Sequence, residues 1–271
     1  MKIGKAITMS CGPSHLKQIC DLEELTIIVI TCDNFLGLKN TLNSLRGKLD
    51  NVLVINGGSC LESIKYLESN CIEHISEPDG GISDAFNKGI GFVKTEYLAF
   101  LNSGDYIKDF NYYRTALKCF KNSNLDLVVG SVWYEDFDVG LILHKCSQNL
   151  YHSFSHQSFV YKKNAAENYL FNLKYKFSMD FDQVVRMLKA GLNIQYVLNP
   201  VSVVVSSGGI SYTHLYSVWF ENLRSLIANK VLNVKAYCEL LKRFIKIPFK
   251  KLFRYEALNF LARKYKKLKC S

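Results

Sequence analysis

The chain has no CxxC pair, no internal repeat, no low-complexity linker and no apolar run near the ~20 residues that span a bilayer. Each absence removes a class of protein. Without paired cysteine spacing, a zinc or dithiol centre is not expected. The nine cysteines, at 11, 20, 32, 60, 71, 119, 146, 238 and 270, stand singly and are odd in number. That usage fits reduced thiols in a cytosolic protein. Lys2, Lys5 and Pro13 interrupt the first residues, so no signal peptide is expected. No nucleic-acid-binding motif is recognisable, so nucleic acid is not an expected partner. Hydrophobic content of 48% and charged content of 21% exclude an intrinsically disordered or collagen-like chain.

Negative charge is scarce in one place above all. Eleven bases lie between Lys242 and Lys269, opposed only by Glu256, and the net charge of the chain is +10. The bases are interleaved with Leu240, Leu241, Phe244, Ile245, Phe249, Leu252, Phe253, Leu258, Phe260 and Leu261. Such a basic amphipathic region suits an anionic membrane surface. A solvated helix with an ordinary packing face is the plainer alternative.

Strand and helix signals alternate in the first hundred residues. Leu25 to Ile30 and Val52 to Ile55 are β-branched runs of the kind buried on both faces of a parallel sheet. Phe35, Leu38, Leu42 and Leu45 recur at helical spacing between them, and Ile64 and Leu67 mark a second helix. A short strand is expected over residues 71 to 75, which completes a βαβαβ unit. Further on, helices are expected at Tyr112 to Phe120 and Phe181 to Ala190, and strands at Leu125 to Val129, Ser131 to Tyr134 and Val139 to Leu143. A β-branched stretch runs from Gln195 to Val205.

Two stretches carry the chemistry. Ser76-Glu77-Pro78-Asp79-Gly80-Gly81-Ile82-Ser83-Asp84-Ala85-Phe86-Asn87-Lys88-Gly89-Ile90 is a turn that opens a helix. Ala99-Phe100-Leu101-Asn102-Ser103-Gly104-Asp105 is an apolar strand that ends in small polar residues and one carboxylate. Ligands of α/β sheets bind at the carboxyl ends of the strands. Together the two stretches resemble the family-two inverting glycosyltransferases of the GT-A fold, nearest to bacterial enzymes that build O-antigen, capsule and other surface polysaccharides. The likeness extends over residues 24 to 210 with falling density. It implies a Rossmann-like mixed sheet flanked by helices. The division expected is an N-terminal extension (1–23), a catalytic domain (24–215) and a basic helical C-terminal region (216–271).

The resemblance also implies roles. Asp105 stands where the family often has an Asp-rich DxD pattern, and would hold Mn²⁺ or Mg²⁺ on a donor diphosphate. A simple turn is the alternative for Asn-Ser-Gly-Asp. Thr31, Asp33, Asn56, Asp79, Asp84, Asn102 and Ser103 would line the nucleotide-sugar site, with Asn56 at a position where the family commonly has Asp. Helix capping and a surface ion pair with Lys88 are the alternatives for Asp79 and Asp84. Ser178-Met179-Asp180-Phe181-Asp182 resembles the segment whose Asp deprotonates the acceptor, which assigns Asp180 as base with Asp182 as alternate. A helix cap is the other reading of Asp180. His156 and Gln157 resemble an HQ element on the acceptor or diphosphate side, and Gly208-Gly209-Ile210-Ser211 a loop that shapes the site.

The function implied is transfer of one sugar, a hexose by resemblance, from a nucleotide donor (a UDP-sugar first) to a lipid-diphosphate-linked or related saccharide. The cytoplasmic face of the plasma membrane is the expected location. A nucleotide-sugar-binding protein without turnover is the alternative, since Asn56 and Asn102 replace carboxylates that the wider family often has.

Overall fold

The structure is a computed structural model that describes residues 22–47, 49, 51–136, 140–144, 155–201, 203–206, 213–245 and 247–248. Most of the expected N-terminal extension, the glycine-rich segment at 208–211 and the tail beyond 248 lie outside the described residues.

A seven-stranded sheet forms the centre, in the order β10-β6-β9-β4-β1-β2-β3. Its strands are β1 (Leu25–Thr31), β2 (Val52–Asn56), β3 (Glu73–Ser76), β4 (Tyr97–Asn102), β6 (Leu127–Val129), β9 (Phe159–Lys162) and β10 (Ile194–Tyr196). Only β9 runs against its neighbours. A smaller sheet joins β5 (Tyr106–Ile107), β11 (Val203–Val205), β7 (Val132–Asp136) and β8 (Gly140–His144), in the order β5-β11-β7-β8.

The apolar runs explain the layering. Every residue of β1 is buried, as a strand covered on both faces must be. Ile27 and Val29 face one core, with Leu38 and Leu42 of α1 (Phe35–Leu45) and Tyr113 and Leu117 of α4 (Asn111–Asn122). Ile28 and Ile30 face the other, with Phe86 and Ile90 of α3 (Ile82–Phe92) and Val184 and Val185 of α6 (Met179–Lys189). The period of two along β1 thus feeds two helical layers. Two shorter helices, α2 (Leu61–Ser69) and α5 (Lys163–Asn168), complete the α/β core.

Among the described residues two helices follow this core: α7 (Leu215–Ala228), and α8 over residues 234–245. They are not a detached appendage, because Leu226, Ala236 and Leu240 are buried in the second core. The β-branched stretch at 195–205 splits into β10 and β11, separated by a cis Asn199–Pro200 peptide. One sequence reading is corrected: Cys71 is disulfide-bonded, so the thiols are not all reduced. The nearest cysteine in sequence, Cys60, is free.

Helix α3 approaches the sheet through a glycine. A Cβ at Gly89 would lie 2.6 Å from Ile28 Cγ2 and 3.3 Å from Ile55 Cγ1, whereas one at Gly91 meets nothing within 4 Å. Gly89→Val is therefore expected to cost about 1–3 kcal/mol by overpacking. Gly91→Ala on the same helix should be neutral or gain up to about 1 kcal/mol from helix propensity. Urea unfolding of both variants checks the pair.

Candidate active site

The carboxyl ends of the parallel strands lie side by side. Thr31 of β1 is in register with Asn56 of β2, Ile30 with Asn102 of β4, and Asn56 with Ser76 of β3. The loops after these strands are tied to one another. Asp33 Oδ1 accepts from the backbone N–H groups of Ser59 and Cys60, at 2.8 and 2.9 Å. Asn34 caps α1 through Gly37 and donates to Ser103 at 3.3 Å. Asp79 Oδ1 accepts from Gly81 N at 2.9 Å. Its other oxygen sits where a Cβ of Gly57 would be, at 1.7 Å, so only glycine at 57 admits that carboxylate. The Thr31 hydroxyl is buried without a partner. An orphaned polar atom at a strand end is what a bound ligand would satisfy.

Asp105 is placed differently from the sequence reading. It is 1% exposed. Its carboxylate accepts from Asn102 N at 3.0 Å, Gln157 Nε2 at 3.1 Å and Ser206 N at 3.1 Å. Burial pushes the Asp105 carboxyl above the ordinary carboxylate range, and these three donors pull it back in part. Thr41 of α1 donates to Asp105 O and accepts from Gly104 N, at 2.6 and 2.9 Å. Gly104 has φ +108°, a conformation that suits glycine alone.

Asp105 thus fastens the loop, and its oxygens are committed to N–H donors. A hard divalent cation needs free oxygen ligands. Among the described residues no group of three or more His, Cys, Asp and Glu side chains stands ready to hold a metal. As placed, the Asp105 carboxylate is turned into the protein and 1% exposed, with one lone pair of Oδ1 left unused by its three donors. Gln157, read as an acceptor-side residue, is likewise buried and serves Asp105.

The open face of the loop carries other groups. His156 begins the 3-10 turn His156–Ser158. Its ring nitrogens face Asn102 Oδ1 at 3.4 Å and Asp180 Oδ2 at 3.9 Å, and its edge packs on Phe86 with ring centroids 5.0 Å apart. Asp180 and His156 side chains keep 16% and 12% of their surface, enough to meet a ligand. Asp180 is not the cap of α6, which begins at Met179 with Ser178 before it. It lies in the first turn, where its Oδ1 accepts from Phe181 N at 2.8 Å. Asn102, His156 and Asp180 therefore converge from β4, the 3-10 turn and α6.

Two predicted site residues do not join them. Asp182 is 1% exposed, and its carboxylate takes Arg186 Nε at 2.8 Å, Ser225 Oγ at 2.7 Å and Asn229 Nδ2 at 3.3 Å. It pins α6 to α7 and is shut away from an acceptor hydroxyl by burial. Asp84 accepts from Gly80 N at 2.8 Å and pairs with Lys88 at 3.4 Å. That is the helix-start and ion-pair role. Sequence reasoning missed Glu221 of α7. Its carboxylate accepts from the N–H groups of Lys176, Phe177 and Ser178 at 3.0, 2.8 and 2.9 Å, and so anchors the segment that leads to Asp180. The partners are 43 to 45 residues apart, and no local signal joins them.

Comparisons with known proteins agree on the architecture. The family model described as glycosyl transferase family 2 matches residues 26–180, more than half of the chain. An uncharacterized glycosyltransferase of Mycobacterium tuberculosis is 37% identical over 90 residues, covering 30% of this chain and 34% of that protein. The match thus spans about a third of that relative's length. S. aureus TarS 1-349 in complex with UDP-GlcNAc superposes with a TM-score of 0.61 at 15% identity, over 83% of this chain and 73% of that one. The mannosyltransferase PcManGT from Pyrobaculum calidifontis, solved with GDP-Man and Mn2+, gives 0.56 at 13% identity, over 90% and 82%. Likenesses at these identities establish the fold, which is GT-A.

The placement of Asp105 makes a distinct prediction. Asp105→Ala leaves buried N–H donors unpaired and should cost about 2–4 kcal/mol in urea unfolding, with EDTA present throughout. A loss below about 0.5 kcal/mol would show that these hydrogen bonds do not fasten the loop.

Proposed function

The chain belongs to glycosyl transferase family 2, and on that premise we propose that it transfers one hexose from a UDP-sugar, with inversion, to a lipid-diphosphate-linked saccharide of a bacterial surface polysaccharide such as O-antigen or capsule. The observation that carries the reading is the convergence of Asn102, His156 and Asp180 at the carboxyl ends of the parallel strands. Neighbours of the same fold were solved with UDP-GlcNAc and with GDP-Man, which supports a nucleotide-sugar donor at this edge.

In this reading Thr31, Asp33, Asn56 and Asp79 border the nucleotide. Thr31 Oγ1 lies at that edge without a partner, and the buried Asn56 amide, bonded to Ser76 Oγ and Gly58 N at 3.3 Å each, braces the strand ends beneath the base. Ser103 and Asn102 meet the diphosphate, and the His156 imidazole donates to it as it leaves. Asp180 acts as general base. The acceptor oxygen forms a bond to the anomeric carbon and gives its proton to Asp180. The bond from that carbon to the diphosphate oxygen breaks on the opposite face, and UDP leaves with its electron pair. A divalent cation belongs to this reading only as a companion of the donor diphosphate, since Asp105 is committed elsewhere.

No described helix is long and apolar enough to cross a membrane. The basic C-terminal region would instead hold the enzyme peripherally at an anionic surface, where a lipid-linked acceptor lies. The proposed place is the inner face of the plasma membrane. The domain division proposed is a catalytic unit over 24–215 with the helical region 216–271 after an extension of 1–23.

The test is a panel of nucleotide sugars assayed for binding and transfer with Mn²⁺, with Mg²⁺ and with EDTA. Asp180→Asn should lower kcat by about 10²–10⁴-fold. Donor Kd should stay within about twofold, because a general base meets the acceptor rather than the nucleotide. Transfer that persists in Asp180→Asn removes Asp180 as base. Failure of every nucleotide sugar to bind removes the donor assignment.

A further inference from the structure

The last two described helices leave an apolar face uncovered. Helix α8 packs inward through Ala236 and Leu240, four residues apart. On its other side Val234, Tyr237, Leu241 and Ile245 follow at helical spacing and are 81%, 49%, 41% and 54% exposed. The face continues onto α7 through Phe220, which is 59% exposed. Phe244 packs on Trp219 and Tyr216 with ring centroids 4.8 and 5.7 Å apart, so the two helices present one surface. A contiguous apolar patch of this kind on a folded protein marks a docking site.

Charge decides among the occupants. Lys235 and Lys242 flank the apolar residues of α8 and are exposed, with Glu239 between them paired to Lys242 at 2.8 Å, so the positive excess rests on Lys235 and on the bases that follow. Eight more bases follow between Lys250 and Lys269 against Glu256 alone. A second copy of this face would bring like charge against like charge. A nucleic acid would use the bases and gain nothing from the aliphatic side chains. An anionic lipid surface uses both, with bases at the headgroups and aliphatic and aromatic side chains at the acyl boundary.

We propose that the α7–α8 face seats in an anionic bilayer surface, with Val234, Tyr237, Leu241 and Ile245 entering the headgroup–acyl boundary and Lys235 and Lys242 beside the headgroups. The proposal deepens the peripheral-membrane reading above. It assigns the hold on the membrane to described helices and to apolar insertion, in addition to the charge of the tail.

The test uses the full chain and vesicles of phosphatidylcholine with and without phosphatidylglycerol, read by co-sedimentation at low and high salt. The wild type is expected to bind the anionic vesicles and to keep part of that binding at high salt, where electrostatic attraction is screened. Leu241→Asp with Ile245→Asp should lose the salt-resistant part, a drop of about tenfold or more in partitioning. A second readout needs no destabilising change. In Trp133→Phe, Trp219 is the sole tryptophan, and lipids brominated in the acyl chain should quench it. Wild-type levels of salt-resistant binding in the double variant, or no quenching of Trp219, would overturn the proposal. A lipid-free dimer by light scattering that the double variant abolishes would also overturn it, since the face would then belong to a second copy. Binding is read without sugar transfer, so a protein that docks as described yet transfers nothing would fault the catalytic reading alone.

Discussion

A carboxylate removed from water must find its hydrogen bonds inside the protein, and Asp105 finds three. One donor comes from the end of β4, one from the 3-10 turn that also presents His156, and one from the segment just after β11. These segments are far apart in sequence, with Gln157 and Ser206 lying 52 and 101 residues from Asp105. The large sheet, the small sheet and the turn between them are thus joined at one buried point. Asn102 and His156 owe their positions at the strand edge to this junction. The same burial keeps the Asp105 carboxylate from solvent.

The opposite wall of the site is organised by the C-terminal helices. Asp182 ties α6 to Ser225 and Asn229, and Glu221 holds the backbone at 176–178. Asp180 lies between these two fastenings. Its setting therefore depends on α7, although α7 follows the stretch matched by the family model. One side of α7 supports the proposed base while another carries Phe220 into the exposed apolar face. Sugar transfer and membrane contact are, on this account, served by two sides of the same helix.

Most of the sheet was legible in the sequence because continuous β-branched runs have few alternatives. Leu25 to Ile30 and Val52 to Ile55 became β1 and β2 within a residue of the expected ends. The helix that carries Asp180 was legible through its apolar period, and it spans Met179–Lys189. Asp182, read as the alternate base, is separated from Asp180 by helical geometry: two residues apart on a helix differ by about 200°, so one carboxylate facing a cleft sends the other into the core. Burial of Asp105 was not legible. Asn-Ser-Gly-Asp reads the same whether its carboxylate points to solvent or inward, and its partners Gln157 and Ser206 carry no signal of their pairing. Glu221 was hidden for the same reason, because its partners are backbone N–H groups, which every sequence offers. The amphipathic character of the C-terminal region was visible, but which of its apolar residues pack on the core and which stay exposed needed the fold.

The most direct test of the account is a crystal structure of the chain with UDP-GlcNAc and Mn²⁺. The account predicts the uracil beside Thr31 and Asn56, the diphosphate against Asn102, Ser103 and His156, and Asp105 still bonded to Gln157 and Ser206. The anomeric carbon would then face Asp180 across the space for an acceptor hydroxyl. A carboxylate of Asp105 turned out to bind the metal, or a nucleotide seated away from the carboxyl ends of β1, β2 and β4, would contradict it.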